Sequence, residues 1–157
     1  MTPAIKVLQK LNIHFTQHTY QHDPKAESYG LEAAEKLGVE PRFVFKTLVV
    51  QVDAKEYAVA VIPVEHLLNL KQIAKASGGN KAAMGAVSEV ERMSGYVVGG
   101  VSPIGQKKRL KTFIDASAKD LPTMYVSAGK RGMDIALSPA DLCTVTGGVF
   151  VDLTQKD

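Results

Sequence analysis

The chain has 157 residues, of which 45% are apolar and 22% charged, with a net charge of +3 and a single cysteine. This balance is typical of one folded domain and excludes a largely disordered chain. The lone Cys143 excludes an intramolecular disulfide and a thiolate metal cluster, and the small positive excess does not by itself establish a polyanionic partner. We therefore expect one domain over residues 1–157. Because no segment resembles a leader or a membrane span, we expect a cytoplasmic protein without a membrane partner.

The first third of the chain predicts a helix, a strand and a second helix. Ile5 and Leu8 share one face of an opening helix, and residues 13–20 alternate as a half-buried strand. Residues 31–37 favour helix, and Gly38 is placed to end it.

The middle of the chain predicts a β-hairpin followed by two helices. Residues 43–52 and 57–62 are strand-like and are joined by the turn composition DAKE, which favours an antiparallel pair. Two later segments have the spacing of capping boxes and so predict helix starts: Asn69 with Gln72, and Ser88 with Glu91.

The last third is rich in short strand-like segments. They are residues 96–101, 110–114, 123–127, 133–137 and 149–153. A small helix is predicted to open at Ser138 and Pro139. Strands connected by both hairpins and helices indicate an α/β domain with a mixed, partly closed sheet.

Three histidines recur at every fourth position: His14, His18 and His22. On a helix they would share one face and suit a metal ion. The segment alternates as a strand, however, and contains no HExxH pattern. We therefore expect surface or loop histidines and no metal site.

Lys46 lies inside the apolar strand-like run RFVFKTLVV. An unpaired buried ammonium is costly, so two interpretations stay open. Lys46 either faces solvent or guards a sheet edge, or it projects into a pocket and meets an anion such as a phosphate. Its neighbour Thr47 would point to the opposite face of a regular strand.

Gly99 and Gly100 lie inside an apolar pattern, where glycine marks either a bulge or a backbone that a ligand approaches closely. In the second case their N–H groups could stabilise an oxyanion. No GxSxG elbow is present, and Cys143 has no evident histidine partner. An enzyme with this sequence would take its nucleophile from outside the protein.

A basic run precedes one of the last strands, and it comprises Lys107, Lys108, Arg109 and Lys111. It is either a solvated surface or a grip on a nucleic-acid backbone, in which case binding would depend strongly on salt.

Six segments in order resemble the YbaK-type Cys-tRNA(Pro) deacylases, the YbaK/EbsC subfamily of the prolyl-tRNA editing family. They are HTYQHDP, EAAEKLGVEPRFVFKTLVV, LNLKQIAK, GYVVGGVSPIGQKKRLKTFID, YVSAGKRGMDIAL and PADL. The resemblance implies an α/β (α+β) domain with a curved mixed sheet that forms a partial barrel flanked by helices. It also implies trans-editing of a mischarged aminoacyl-tRNA, with tRNA(Pro) as substrate carrier, prolyl-tRNA synthetase as partner and no cofactor.

The resemblance implies roles for particular residues. Lys46 matches the lysine thought to hold the terminal adenosine or its phosphate, and Gly99 and Gly100 match the wall beside the scissile carbonyl. These three are the catalytic candidates. Further polar positions of the same pocket are substrate-binding candidates: Tyr20, Thr47, Ser127 and Asp134. Asp134 would pair with Lys46 or meet the substrate amine.

In this family the thiol of the substrate cysteine is thought to attack its own ester, so the protein would supply position and polarity. The sequence departs from the family pattern at Ala128, where a second glycine is usual. Two alternatives stay open: a non-catalytic module that binds tRNA or a synthetase, and a deacylase of the same fold for Ala-tRNA(Pro).

Overall fold

Five α-helices and eight β-strands make up the computed structural model, which describes residues 1–156. The helices are α1 (Pro3–Lys10), α2 (Tyr29–Leu37), α3 (Leu70–Ala76), α4 (Val87–Ser94) and α5 (Pro139–Thr146). The strands are β1 (Thr16–Thr19), β2 (Phe45–Val52), β3 (Glu56–Pro63), β4 (Ala82–Met84), β5 (Lys111–Asp115), β6 (Met124–Lys130), β7 (Met133–Leu137) and β8 (Val149–Val151). This mixed composition confirms the predicted α/β class. Within residues 1–156 no helix combines the length and the apolar character needed to span a bilayer.

The strands form two sheets that meet at one edge. The smaller sheet has the antiparallel order β1-β7-β6, and the larger has the order β4-β2-β3-β5-β8. β2 and β3 form the predicted antiparallel hairpin, whereas β5 runs parallel to both β3 and β8. An isolated parallel bridge between Val44 and Tyr125 joins the sheets. Within residues 1–156 the two sheets are not closed into a barrel, so the predicted curved sheet is two joined sheets.

The main core lies between the two sheets. Val49, Val59 and Val61 of the larger sheet pack in one buried cluster with Val126 and Ile135 of the smaller one. The alternate residues of β2 and β3 face a second cluster beneath α3. Because both faces of the hairpin are buried, its strands have nearly continuous apolar sequences.

Side-chain caps fix where several helices begin. Asn69 and Ser138 accept hydrogen bonds from N–H groups in the first turns of α3 and α5, as the sequence predicted. Ser28 caps α2 in the same way and starts it two residues earlier than expected. Gly38 ends α2 with a φ of 68°, a backbone conformation that glycine adopts without strain.

The strand predicted over residues 96–101 is wrong, because this segment is a loop. Gly95 ends α4 with a φ of 81°, and Gly99 turns the chain again with a φ of 92°, so neither residue is extended. The loop is apolar because it packs against the core: Tyr96 is buried, and its hydroxyl donates to the carbonyl of Ile104 at 2.6 Å.

The predicted capping box at Ser88 is also wrong. α4 begins at Val87 after Ala86, with no side-chain cap, so Ser88 lies within the first turn. The first strand is shorter than residues 13–20, and the sequence did not predict β4, whose three residues carry little β signal.

Candidate active site

A cavity of about 410 Å³ opens where the two sheets meet. Six of the seven candidate residues line it: Tyr20, Lys46, Thr47, Gly99, Ser127 and Asp134. They come from the end of β1, from β2, from the loop after α4, and from β6 and β7. The fold therefore brings together positions that lie more than 100 residues apart in the sequence, and a polar cluster in an otherwise apolar cavity is typical of a ligand site.

Lys46 projects from the first half of β2, and its side chain is half-buried. Within residues 1–156 its ammonium forms no ion pair and no hydrogen bond, including with Asp134. Burial alone lowers the pKa of this lysine below its ordinary value. An anion that enters the cavity would supply the missing counter-charge and restore the pKa.

Asp134 occupies the centre of the smaller sheet. It lies directly opposite Ser127 of β6 and opposite His18 of β1, so the three side chains share one face. Because the carboxylate lies between the hydroxyl and the imidazole, His18 is not placed to take the Ser127 proton, and this row is not a catalytic triad. His18 Nε2 instead lies 2.8 Å from the hydroxyl of Thr16.

Burial raises the pKa of Asp134 from 3.8 to about 7. The residue is only 6% exposed, and within residues 1–156 no hydrogen-bond donor reaches its carboxylate. Burial, followed by the nearby negative charges of Asp134 and Glu32, raises the pKa of Tyr20 to about 12. Tyr20 is therefore a neutral hydroxyl at physiological pH, and Asp134 is poised to ionise when a cation binds beside it.

Gly99 and Gly100 have different surroundings. Gly99 lines the cavity, and a Cβ at this position would lie 2.8 Å from the ring of Tyr29 and from Nε of Arg131. Gly100 is buried and does not line the cavity; an added Cβ would lie 2.7 Å from the backbone of Lys130. The structure thus places Gly100 where the loop packs against the β6–β7 turn, and its catalytic role stays a prediction.

Arg131 holds in place the loop that contains Gly99 and Gly100, which we call the glycine loop. Its Nε and Nη2 both donate to the carbonyl of Val98, at 2.9 and 2.6 Å. The same guanidinium lies 5.1 Å from the ring centroid of Tyr29, within the range of a cation–π contact. One side chain therefore connects the β6–β7 turn, the glycine loop and the start of α2.

Alanine substitutions at the two glycines should have different costs. Gly100→Ala should destabilise the protein by about 3 kcal/mol or more, because its methyl meets fixed backbone. Gly99→Ala meets movable side chains and should cost about 1–2 kcal/mol for its positive φ. Urea unfolding of both variants beside wild type tests this order; equal losses would contradict it.

The first turn of α2 forms a wall of the cavity that the sequence did not predict. Ser28, Tyr29 and Gly30 line the cavity, and the N-terminal end of a helix favours negative charge. The loop before this turn is held by buried Glu32, which accepts from the N–H of Asp23 at 2.6 Å and lies 2.7 Å from His22 Nδ1. Burial would raise the pKa of Glu32, but these hydrogen bonds and one from Lys36 lower it.

The remaining candidate residues lie outside the cavity. Within residues 1–156 no group of three or more metal-ligating side chains is present, so His14, His18 and His22 do not converge. Cys143 lies in α5 against the main core, and burial raises the pKa of its thiol. The basic run is exposed at Lys107, Lys108, Arg109 and Lys111, just before and at the start of β5.

Fold and cavity together define a domain whose cavity contains an unpaired, half-buried lysine and a buried carboxyl group. A family model described as the aminoacyl-tRNA editing domain matches residues 23–145. The chain belongs to this family, and the predicted resemblance is confirmed.

Two curated bacterial proteins are similar along nearly the whole chain. EbsC of Enterococcus faecalis, provisionally named a Cys-tRNA(Pro)/Cys-tRNA(Cys) deacylase, is 37% identical over 99% of this chain and 94% of its own. YwhH of Bacillus subtilis, an uncharacterised protein, is 28% identical over 94% of this chain and 97% of its own. A crystal structure described provisionally as a trans-editing enzyme for prolyl-tRNA synthetase superposes with a TM-score of 0.80 at 20% identity, covering 99% of both chains. That last likeness shows the fold alone.

Proposed function

We propose that this protein is a trans-editing deacylase that releases cysteine from Cys-tRNA(Pro). The observation that carries the proposal is the presence, in one cavity, of an unpaired half-buried Lys46 and a buried Asp134. An aminoacylated tRNA end carries phosphate anions and an α-ammonium close together, and it therefore complements both groups. The family and the named relative from E. faecalis support the same assignment.

In the proposed complex Lys46 binds the phosphate or ribose of the terminal adenosine, and Asp134 accepts a hydrogen bond from the α-ammonium. The cysteine sulfur then attacks the ester carbonyl, forming a C–S bond. The C–O bond to the ribose breaks, and the departing ribose oxygen takes the proton that the thiol loses. The products are free tRNA and a cyclic thioester, which water opens to cysteine.

This chemistry needs no nucleophile from the protein. Within residues 1–156 neither cysteine nor histidine lines the cavity, and the protonated Cys143 lies in the core packing of α5. The cavity would act by position and polarity: Gly99 allows close approach of the carbonyl, while Ser127 and Tyr20 offer hydroxyl donors. Ser127 already accepts from the N–H of Gly129 at 3.1 Å, which leaves its proton free to donate.

The experiment that tests the proposal compares tRNA(Pro) charged with cysteine, serine or alanine. The proposed mechanism requires rapid loss of cysteine and at least about 100-fold slower loss of alanine, which has no side-chain nucleophile. Cys143→Ala should deacylate Cys-tRNA(Pro) at the wild-type rate. Faster release of alanine would assign the protein to Ala-tRNA(Pro), and stable Cys-tRNA(Pro) would leave only a binding module.

The basic run is proposed to contact the phosphate backbone of the tRNA. Replacing Lys107 and Lys108 with alanine should raise KM about tenfold and flatten the dependence of log KM on log salt by about one unit or more. The turnover number should not change, because the run lies outside the cavity. The matched control replaces the exposed Lys55 and Lys119; an equal loss in this control would contradict a specific contact.

We further propose that the protein acts in the cytoplasm with prolyl-tRNA synthetase as partner. In the proposed complex the cavity holds only the aminoacylated end of the tRNA, so selection of tRNA(Pro) would need contacts outside it. We expect immobilised protein to capture the synthetase in the presence of tRNA(Pro). Ribonuclease treatment should abolish the capture. Absence of capture with all three components present would contradict the partnership.

A further inference from the structure

One stretch of β2 borders the cavity with its polar backbone edge. The N–H of Val64 donates to the carbonyl of Val44 at 2.9 Å. This bond shows which opposed pairs of the antiparallel β2–β3 ladder are hydrogen-bonded pairs. Even-numbered residues of β2 therefore exchange hydrogen bonds with β3. Odd-numbered residues, including Thr47, direct their N–H and C=O groups to the opposite edge.

Two contacts bracket Thr47 on that opposite edge. Tyr125 forms the bridge to Val44 at one end, and the N–H of Gly85 donates to the carbonyl of Val49 at 2.9 Å at the other. Within residues 1–156 no strand residue pairs with Thr47 on this edge. The Thr47 hydroxyl is also buried without a hydrogen-bond partner. Buried polar groups normally have partners, so this position lacks something that a ligand could supply.

The cavity fills the gap beside Thr47. Its lining includes every residue from Val44 to Val49, and side chains that alternate between two faces cannot all reach one face of the sheet. The cavity therefore meets β2 along its edge. Met84 and Val87 line the same space and are 51% and 60% exposed, which gives the edge an apolar flank.

We infer that the N–H and C=O of Thr47 bind the adenine base of the terminal adenosine. Adenine presents an amine donor beside a ring-nitrogen acceptor, which matches an acceptor and a donor on one strand edge. Its flat apolar faces suit Met84 and Val87. A phosphate or an ammonium would use only one of the two backbone groups. The inference rests on the proposed function and names the part of the same substrate that this edge recognises.

The test uses wild-type protein and four nucleotides, so that it depends neither on turnover nor on a variant that folds. The nucleotides are AMP, the analogue without the exocyclic amine, 1-deaza-AMP and 7-deaza-AMP. Loss of the amine should weaken binding about fivefold, and loss of one of the two ring nitrogens should do the same. The Thr47 amide resonance should shift on titration with AMP.

Four results would overturn the inference. They are equal affinity for all four nucleotides, an effect of the amine with none from either ring nitrogen, AMP binding that leaves the Thr47 amide resonance unmoved, and absence of AMP binding at millimolar concentration. Deacylation of Cys-tRNA(Pro) is measured separately. A failure of the proposed deacylase function is therefore distinguishable from a failure of adenine binding at Thr47.

A protein-side variant tests the same contact from the other direction. Thr47→Pro removes the N–H, which belongs neither to the β3 ladder nor to the β4 pairing, so the substitution removes no hydrogen bond of the sheet. In this variant the deaza analogue should bind as tightly as AMP, while loss of the amine should still weaken binding. The variant should raise the KM for Cys-tRNA(Pro) rather than lower kcat. Thr47→Val measures the hydroxyl alone. If the deaza analogue still bound Thr47→Pro about fivefold more weakly than AMP, the assignment would be contradicted.

Discussion

Lys46→Ala should lower kcat/KM for Cys-tRNA(Pro) by about 10- to 100-fold, the value of a lost charge-assisted hydrogen bond. The physical reason is that Lys46 is half-buried and unpaired in the free protein, so its charge is satisfied only when an anion binds. The measurement is the rate of cysteine release at several tRNA concentrations. Lys46→Arg should recover part of the activity, because the charge is kept while the point of contact changes.

Removal of the Lys46 charge should not weaken the fold when the apolar stem of the side chain is kept. Burial lowers the pKa of Lys46, so the charged lysine reduces stability at pH values below its folded-state pKa. This cost fades as the pH rises through that pKa towards the unfolded value. Lys46→Met, which keeps the apolar stem, should therefore have an equal or higher midpoint of urea unfolding at neutral pH. The exposed Lys55→Met is the control, and a clear destabilisation by Lys46→Met alone would show that the cation is paired within the protein.

Asp134→Asn should change how stability depends on pH. Burial raises the pKa of Asp134 from 3.8 to about 7, so between these values the carboxyl is ionised in the unfolded chain and protonated in the folded one. The unfolded state gains from this ionisation, and wild type should lose on the order of 3 kcal/mol relative to the variant as the pH rises across the window. Urea unfolding of both proteins at pH values from 4 to 7 measures the difference, and parallel curves would contradict the raised pKa.

The same carboxyl should govern substrate binding. If ionised Asp134 binds the α-ammonium, the KM of wild type for Cys-tRNA(Pro) should fall as the pH rises through about 7. In Asp134→Asn the KM should be higher, by about tenfold above that pH, and nearly independent of pH in this range. Turnover at saturating substrate separates this effect from ionisation of the substrate thiol. An unchanged KM profile in the variant would remove Asp134 from the binding site.

The fold could be predicted where local signals were strong. Asn69, Ser138 and Gly38 have the residue types that start and end helices, and the structure confirms all three. The prediction failed over residues 96–101, because an apolar run with β-branched residues has the same composition in a strand and in a packed loop. Periodicity cannot distinguish them when tertiary contacts decide the conformation.

The candidate site was predictable in part. An ammonium in the middle of an apolar strand, Lys46, was a signal that the residues alone contained, although its location in a cavity depended on the fold. Tyr20, Ser127 and Asp134 became candidates through the family resemblance. Arg131 was missed, because its contacts with Val98 and Tyr29 join segments that no local pattern relates. Ser28 caps α2 beside the cavity, and its residue type was a signal in the sequence that could have predicted this helix start.

The contacts of Arg131 also constrain when the cavity can exist during synthesis of the chain. Tyr29 and Val98 are both synthesised before Arg131, and β1 has no partner strand until β7 is available. Nascent chains that end before about this point have an incomplete wall and an unpaired first strand. Contacts between such distant segments of the chain mean that the cavity is completed late, once β6 and β7 can fold against the earlier segments.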